Sequence, residues 1–178
     1  MKIIAFYGFF LISFFFLFPS CNQPDVQNQE NESESGNLEE SLLYANKQAV
    51  KEENEQIDRF INRYKWQMKK TGSGLRYDIY FQGNGAKAEA GKTAILKYNV
   101  RLIDGTEIYT SEKSGNKQFV IGHGGVESGL EEGILLLRVG DRAKFILPSH
   151  LAFGLLGDQD KVPPKSTLIY DLELLELK

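Results

Sequence analysis

From Leu75 onward, apolar residues recur at every second position, and this alternation constrains the fold more than any other property of the chain. Leu75, Tyr77, Ile79 and Phe81 alternate with polar neighbours. Between Thr93 and Leu102, Leu96, Tyr98 and Val100 interleave with Ile95, Lys97 and Asn99. A period of two places one set of side chains on each face of a strand. Asn84-Gly85 reads as a turn, and Asp104-Gly105 as a tight hairpin feeding a strand at Glu107–Thr110. Further strands are expected at Gln118–Ile121, Arg142–Leu147 and Thr167–Leu177. One helix interrupts them at Glu127–Leu137, with Leu130, Ile134 and Leu137 on a single side. Strands with one short helix make an α+β pattern. The expected architecture is a twisted antiparallel half-barrel sheet with that helix across its concave face.

The 178 residues hold one such domain plus appendages. A net charge of −3 and the lack of a long basic stripe leave no footprint for nucleic acid. Ahead of the domain, Leu42, Leu43, Ala49, Val50, Ile57, Phe60, Ile61, Tyr64 and Met68 recur at spacings of three and four. This pattern predicts an amphipathic helix over 41–72, with Lys69 and Lys70 in its last turn and Gly72 and Gly74 stopping it. Its apolar side serves either to pack on the sheet or to contact a second copy. Residues 21–40 carry six acids and no Lys or Arg. They bury too little apolar surface to offset their ordering entropy, so a flexible acidic tether is expected there. Residues 1–20 run from Lys2 through an apolar stretch, Ile3 to Phe18, to Pro19-Ser20. The stretch is short for a bilayer span of about 20 residues and has the form of a secretory signal. Cys21, the only cysteine, follows directly. Its position resembles a bacterial lipobox, although Phe18 and Pro19 stand where smaller residues are usual. That resemblance implies lipidation of Cys21, a membrane anchor and a place in the cell envelope; the alternative is an uncleaved anchor with an incidental cysteine.

In the domain, Tyr98, Val126-Glu127-Ser128-Gly129-Leu130-Glu131-Glu132-Gly133, Ala152-Phe153-Gly154 and Val162-Pro163-Pro164 occur in an order that resembles the FKBP family of peptidyl-prolyl isomerases. The likeness covers 74–178. It implies an apolar cup for a prolyl ring, lined by Tyr98, Tyr109, Leu130, Phe153 and Tyr170 as catalytic residues. Ile108, Val126, Glu127 and Val162 are the substrate-binding residues it implies, with the backbone N–H of Glu127 holding a substrate carbonyl. Several positions depart from the family's pattern. Ile108-Tyr109 stand for Phe-Asp, Glu127 for Ile, Leu130 for an aromatic floor and Phe153 for Tyr. Two polar contacts are thereby lost, and reduced isomerase activity is expected. Taken singly, each of these residues also reads as ordinary core packing.

The implied chemistry needs no nucleophile, metal or cofactor. The barrier to imide rotation, about 18–20 kcal/mol, is loss of amide resonance. A dry cup binds the twisted form better than the planar one. His123 and His150 stand in separate loops without ligand spacing, the glycines around His123 lack a phosphate-loop lysine, and Glu131 and Glu132 face apart on a helix. The run Trp66 to Tyr77, with the lipobox, also resembles FKBP-like lipoproteins associated with gliding motility. The partners so implied are proline-containing polypeptides and a motility or secretion complex. Catalysis and a non-catalytic chaperone role on the same scaffold both remain open.

Overall fold

The computed structural model describes residues 26–178, with side chains from residue 37. The stretch read as a secretory signal and Cys21 lie outside the described residues. The compact body is Tyr44–Lys178.

Seven strands form one antiparallel sheet: β1 (Lys69–Lys70), β2 (Arg76–Phe81), β3 (Thr93–Leu102), β4 (Glu107–Thr110), β5 (Lys117–Val120), β6 (Arg142–Leu147) and β7 (Leu168–Leu177). Their order is β1-β2-β6-β7-β3-β4, with β5 also paired to β3. The long β3 is shared along one edge. Asn99 to Arg101 pair with β4, and Thr93 to Leu96 pair with β5. A short helix, α2 (Ser111–Ser114), carries the chain from one partner to the other. Sequence periodicity did not disclose it. The Tyr98 N–H falls in the gap between the two pairings, and the Ser111 hydroxyl oxygen accepts from it at 2.7 Å.

Alternation sorts the side chains as expected. One face, here called inner, carries Ala94, Leu96, Tyr98 and Val100 of β3, Phe145 and Leu147 of β6, and Leu168, Tyr170, Leu172 and Leu174 of β7, all buried. The helix α3 (Ser128–Ile134) closes this face with Leu130 and Ile134, both 0% exposed. It is shorter than the expected Glu127–Leu137, because Glu127 is its cap and Leu136 and Leu137 continue as single turns. Two glycines of α3 lie on the same side. A Cβ on Gly133 would come within 2.5 Å of the Phe145 ring, so only glycine lets the helix approach this closely.

The outer face carries Arg76, Ile146 and Ile169 in neighbouring register positions. Ile57 of the long helix α1 (Val26–Tyr64) packs there, with Phe60, Ile61, Trp66 and Met68 around it. The expected boundaries of this helix need correction at both ends. It begins inside the stretch read as a tether, where Glu, Gln and Asn tolerate helical backbone. It ends at Tyr64 rather than near Gly72. Lys65 takes a left-handed conformation, φ 55°. The Trp66 N–H bonds to the Ile61 carbonyl and the Lys65 N–H to the Asn62 carbonyl, 3.1 and 3.2 Å. This is a Schellman stop with lysine at the position glycine usually holds. The edge of Trp66 against Phe60, 5.3 Å between centroids, supplies the apolar contact such stops favour. Lys69 and Lys70, expected in a last helical turn, form β1 and pair with Tyr77 and Arg76.

Candidate active site

The inner face is open at one corner, where β4, β5, the start of α3 and the loop between Leu147 and Leu168 meet. A cleft of about 420 Å³ lies there, lined by Lys117, Val126, Glu127, Ser128, Ala152 and Phe153. That size suits a small apolar group. Its placement follows from the elements. Alternation on β3 turns Tyr98 inward, the α3 face turns Leu130 inward, and β7 presents Tyr170 beside Phe145. Leu130 and Tyr170 are essentially closed to solvent, while Val126, Tyr109 and Phe153 are half-buried at the mouth. Val162 and Ile108 are buried in the core cluster and do not line the cleft. Of the expected site residues, Val126, Glu127 and Phe153 line the cleft, while Tyr98, Ile108, Leu130, Val162 and Tyr170 are buried in the core cluster behind it and Tyr109 packs against that cluster.

The expectation of a wholly apolar cup does not hold. Glu127 was expected to contribute only its backbone, yet its side chain is 3% exposed and turned inward. Its Oε1 accepts from the Tyr170 hydroxyl at 2.6 Å. Burial, then the charge of Glu127 and this hydrogen bond, push the Tyr170 phenol well above its ordinary range, so it stays a donor. The other oxygen, Oε2, has no hydrogen-bond partner, and the nearest cation is the Lys117 ammonium at 3.6 Å. Lys117 also lies over the Tyr98 ring, 5.7 Å from its centroid. Lys117 was not among the residues anticipated. The signal was present: it shares parity with Phe119 on β5, so period two turns it inward.

Tyr109 is the second revision. Its hydroxyl donates to Asp158 in a very short hydrogen bond. That bond, together with burial, raises the Tyr109 phenol well above its ordinary range. The other Asp158 oxygen accepts the N–H groups of Asp160, Lys161 and Val162 at 3.0, 2.9 and 2.7 Å. Partial burial works against the Asp158 anion, but the Tyr109 and backbone donors outweigh it and hold the carboxyl below its ordinary value of 3.8. An acid from another loop thus stands against Tyr109, with both of its oxygens engaged. Gly157 permits the crossing: its φ is 68°, and a Cβ there would meet the Val162 carbonyl oxygen at 2.0 Å. Sequence inspection missed Asp158, although Asp followed by backbone donors at two to four residues is a recognisable turn signature.

The Glu127 N–H donates to no acceptor among the described residues and stands at the head of α3. It is available to a ligand carbonyl beside the apolar floor. Glu131 and Glu132 do not cooperate. Glu131 accepts from the Gly122 and Gly124 N–H groups at 2.6 and 3.0 Å, and Glu132 accepts from Ser73 at 2.6 Å. His150 meets only the Ser73 carbonyl oxygen, at 3.0 Å.

An antiparallel sheet with α3 across its inner face and a cleft at one corner is the arrangement the described residues present. Residues 84–175 match the FKBP-type peptidyl-prolyl cis-trans isomerase family, and the chain belongs to that family. It is 36% identical over 110 residues to a probable FKBP-type peptidyl-prolyl cis-trans isomerase FkpA of Neisseria meningitidis serogroup B, covering 62% of this chain and 40% of that protein. Over 92 residues it is 40% identical to FK506-binding protein 2 of Yarrowia lipolytica, covering 51% of this chain and 64% of that protein. The fold is similar to the crystal structure of FkpA from Escherichia coli, with a TM-score of 0.64 and 28% identity over 89% of this chain and 75% of that one. It is also similar to AtFKBP13, with a TM-score of 0.60 and 27% identity over 63% of this chain and 99% of that one. The chain thus spans 40% and 64% of the lengths of these two curated relatives.

Proposed function

We propose that the domain catalyses cis–trans isomerisation of prolyl bonds in polypeptides. The observation that carries this reading is a free backbone donor, the Glu127 N–H, beside the closed floor of Leu130 and Tyr170. A prolyl ring in the cleft is flanked by Val126, Ala152 and Phe153, with Leu130 and Val162 in the buried layer behind them. The free N–H anchors a carbonyl of the peptide while the imide turns. Twisting removes amide resonance and lowers the charge on the imide oxygen, so a site with few donors there favours the twisted form. The protein contributes shape, anchoring and exclusion of water, and no covalent step is needed.

Anchoring by a lipidated Cys21 and a position in the cell envelope complete the proposal. The clients are exported or cell-surface polypeptides, including parts of a gliding-motility or secretion complex. The sequence likenesses support this part.

A second reading, a non-catalytic chaperone on this scaffold, is favoured by one observation: the Lys117–Glu127 pair places charge inside the cup. The two separate in an exchange assay on a proline-containing peptide. The isomerase reading expects line broadening between cis and trans signals at catalytic amounts of protein, and loss of that broadening in Leu130→Ala. Binding of unfolded clients without any acceleration of exchange would favour the chaperone.

A further inference from the structure

Glu127 is the one acidic side chain that the cleft holds almost completely out of water, with 3% of it exposed. Burying a carboxylate is costly unless its oxygens are bonded. Oε1 is bonded by Tyr170 at 2.6 Å, and Oε2 is left without a donor. Lys117 stands 3.6 Å away, too far for a hydrogen bond, with its own side chain 26% exposed and directed over Tyr98. An acceptor with one empty place therefore stands in the wall of the cleft, closed to water, with the long, partly exposed Lys117 side chain beside it. We propose that Glu127 is a specificity-determining residue. It selects prolyl segments that carry a cationic, hydrogen-bond-donating side chain, lysine or arginine, next to the proline.

The charges around the cleft decide between a cation and an anion. An incoming ammonium or guanidinium fills the empty place on Oε2 and releases Lys117, whose ammonium rehydrates at little cost on its long stem. An incoming carboxylate reaches Lys117 only by approaching a buried carboxylate of the same sign. The rim adds no strong bias. Asp158 is engaged by Tyr109 and three backbone N–H groups, and Asp160 and Lys161 oppose each other beside Tyr109. A leucine or phenylalanine before the proline leaves Oε2 with only the Lys117 ion pair and its donor place empty, and should be disfavoured relative to lysine.

This inference rests on the prolyl-binding reading of the same cleft, and the test separates the two. Four peptides differing only in the residue before proline, Lys, Leu, Gln or Glu, are titrated against the full chain. Dissociation constants and exchange rates are both measured by NMR. The Lys peptide is expected to bind and turn over about tenfold better than the Glu peptide, the size of one charge-assisted bond at a half-open site. Raising the salt concentration should shrink that ratio. Glu127→Gln should bring the two peptides to near parity. Lys117→Met should widen the gap, since the cation no longer displaces an internal one. Lys117→Met alone carries the test should Glu127→Gln lose its fold by circular dichroism. Lysine preference in binding without turnover supports the role of Glu127 and removes the isomerase. Turnover without preference, or a Glu127→Gln variant that speeds all four peptides alike, overturns the role of Glu127 and leaves the isomerase. Neither binding nor turnover overturns both.

Discussion

The two faces of the sheet are covered by different means. On the inner face α3 is held almost wholly by apolar burial: Leu130 and Ile134 reach into a cluster with Phe145, Leu147 and Tyr170, and two glycines let the helix come close. On the outer face α1 brings fewer apolar groups, chiefly Ile57 against Ile146 and Ile169. Directional polar contacts set its place. Asp58 pairs with the buried Arg76 at 2.9 Å, and Arg76 also donates to the Gly74 carbonyl at 2.8 Å. One carboxylate, Glu53, accepts from the Ser149 N–H, the Ser149 hydroxyl and the Thr167 hydroxyl at 2.7, 2.9 and 2.7 Å. Ser149 and Thr167 are near the two ends of the loop that carries Phe153, Asp158 and Val162. Glu53 therefore ties the ends of this loop together from the α1 side of the sheet. Apolar burial is non-directional and sets how much surface is covered; the polar contacts set where the helix stops along it.

Breaking the inner contact should have the largest effect. Leu130→Ala is expected to cost about 2–5 kcal/mol in urea unfolding and to abolish prolyl turnover, since it removes both core and floor. Ile57→Ala on the outer face should cost a similar amount in unfolding while sparing most turnover; equal loss of turnover would erase the contrast between the faces. Gly133→Ala tests close approach alone. The Phe145 ring has to shift, and a loss of about 1–3 kcal/mol is expected from thermal or urea melts. Glu53→Ala should cost about 1–3 kcal/mol, because it leaves the Ser149 N–H without its partner. It should also raise KM more than it lowers kcat by loosening the loop. An unchanged KM would confine Glu53 to stability.

The smallest effect concerns Tyr109 and Asp158. Tyr109→Phe should cost about 1 kcal/mol and leave the fold intact. The pH dependence has a definite sign. The folded state holds the Asp158 carboxyl below its ordinary value of 3.8, so its stabilising contribution is present above that value and fades as pH falls through the lower folded value. Protection of the Asp160, Lys161 and Val162 amides from hydrogen exchange, taken relative to their intrinsic rates, should fall under acid, and at a higher pH in Tyr109→Phe. Protection that is indifferent to acid would remove Asp158 as the group that holds them.

The strands were legible because alternation is local. Thr93–Leu102, Glu107–Thr110 and Arg142–Leu147 follow from which neighbours are apolar. The end of α1 was not. Glycine was the natural stop signal, and Lys65 took the left-handed position instead, because the packing of Trp66 on Phe60 stabilises the turn. Which apolar residues gather in the core behind the cleft was readable from ordered landmarks, whereas the destination of polar side chains was not. Whether Glu127 points to water or to Tyr170 depends on a residue 43 positions away. The same holds for Tyr109 and Asp158, 49 positions apart.

By itself, then, the sequence determined the strand periodicity, the single closing helix and the family, since each is written in neighbouring residues or in ordered short motifs. Only the tertiary structure decided that a carboxylate turns inward at the cleft, that Asp158 engages Tyr109 and that Glu53 bonds both ends of the loop. Hydrogen bonds between distant residues are settled by geometry, and sequence spacing carries no record of it.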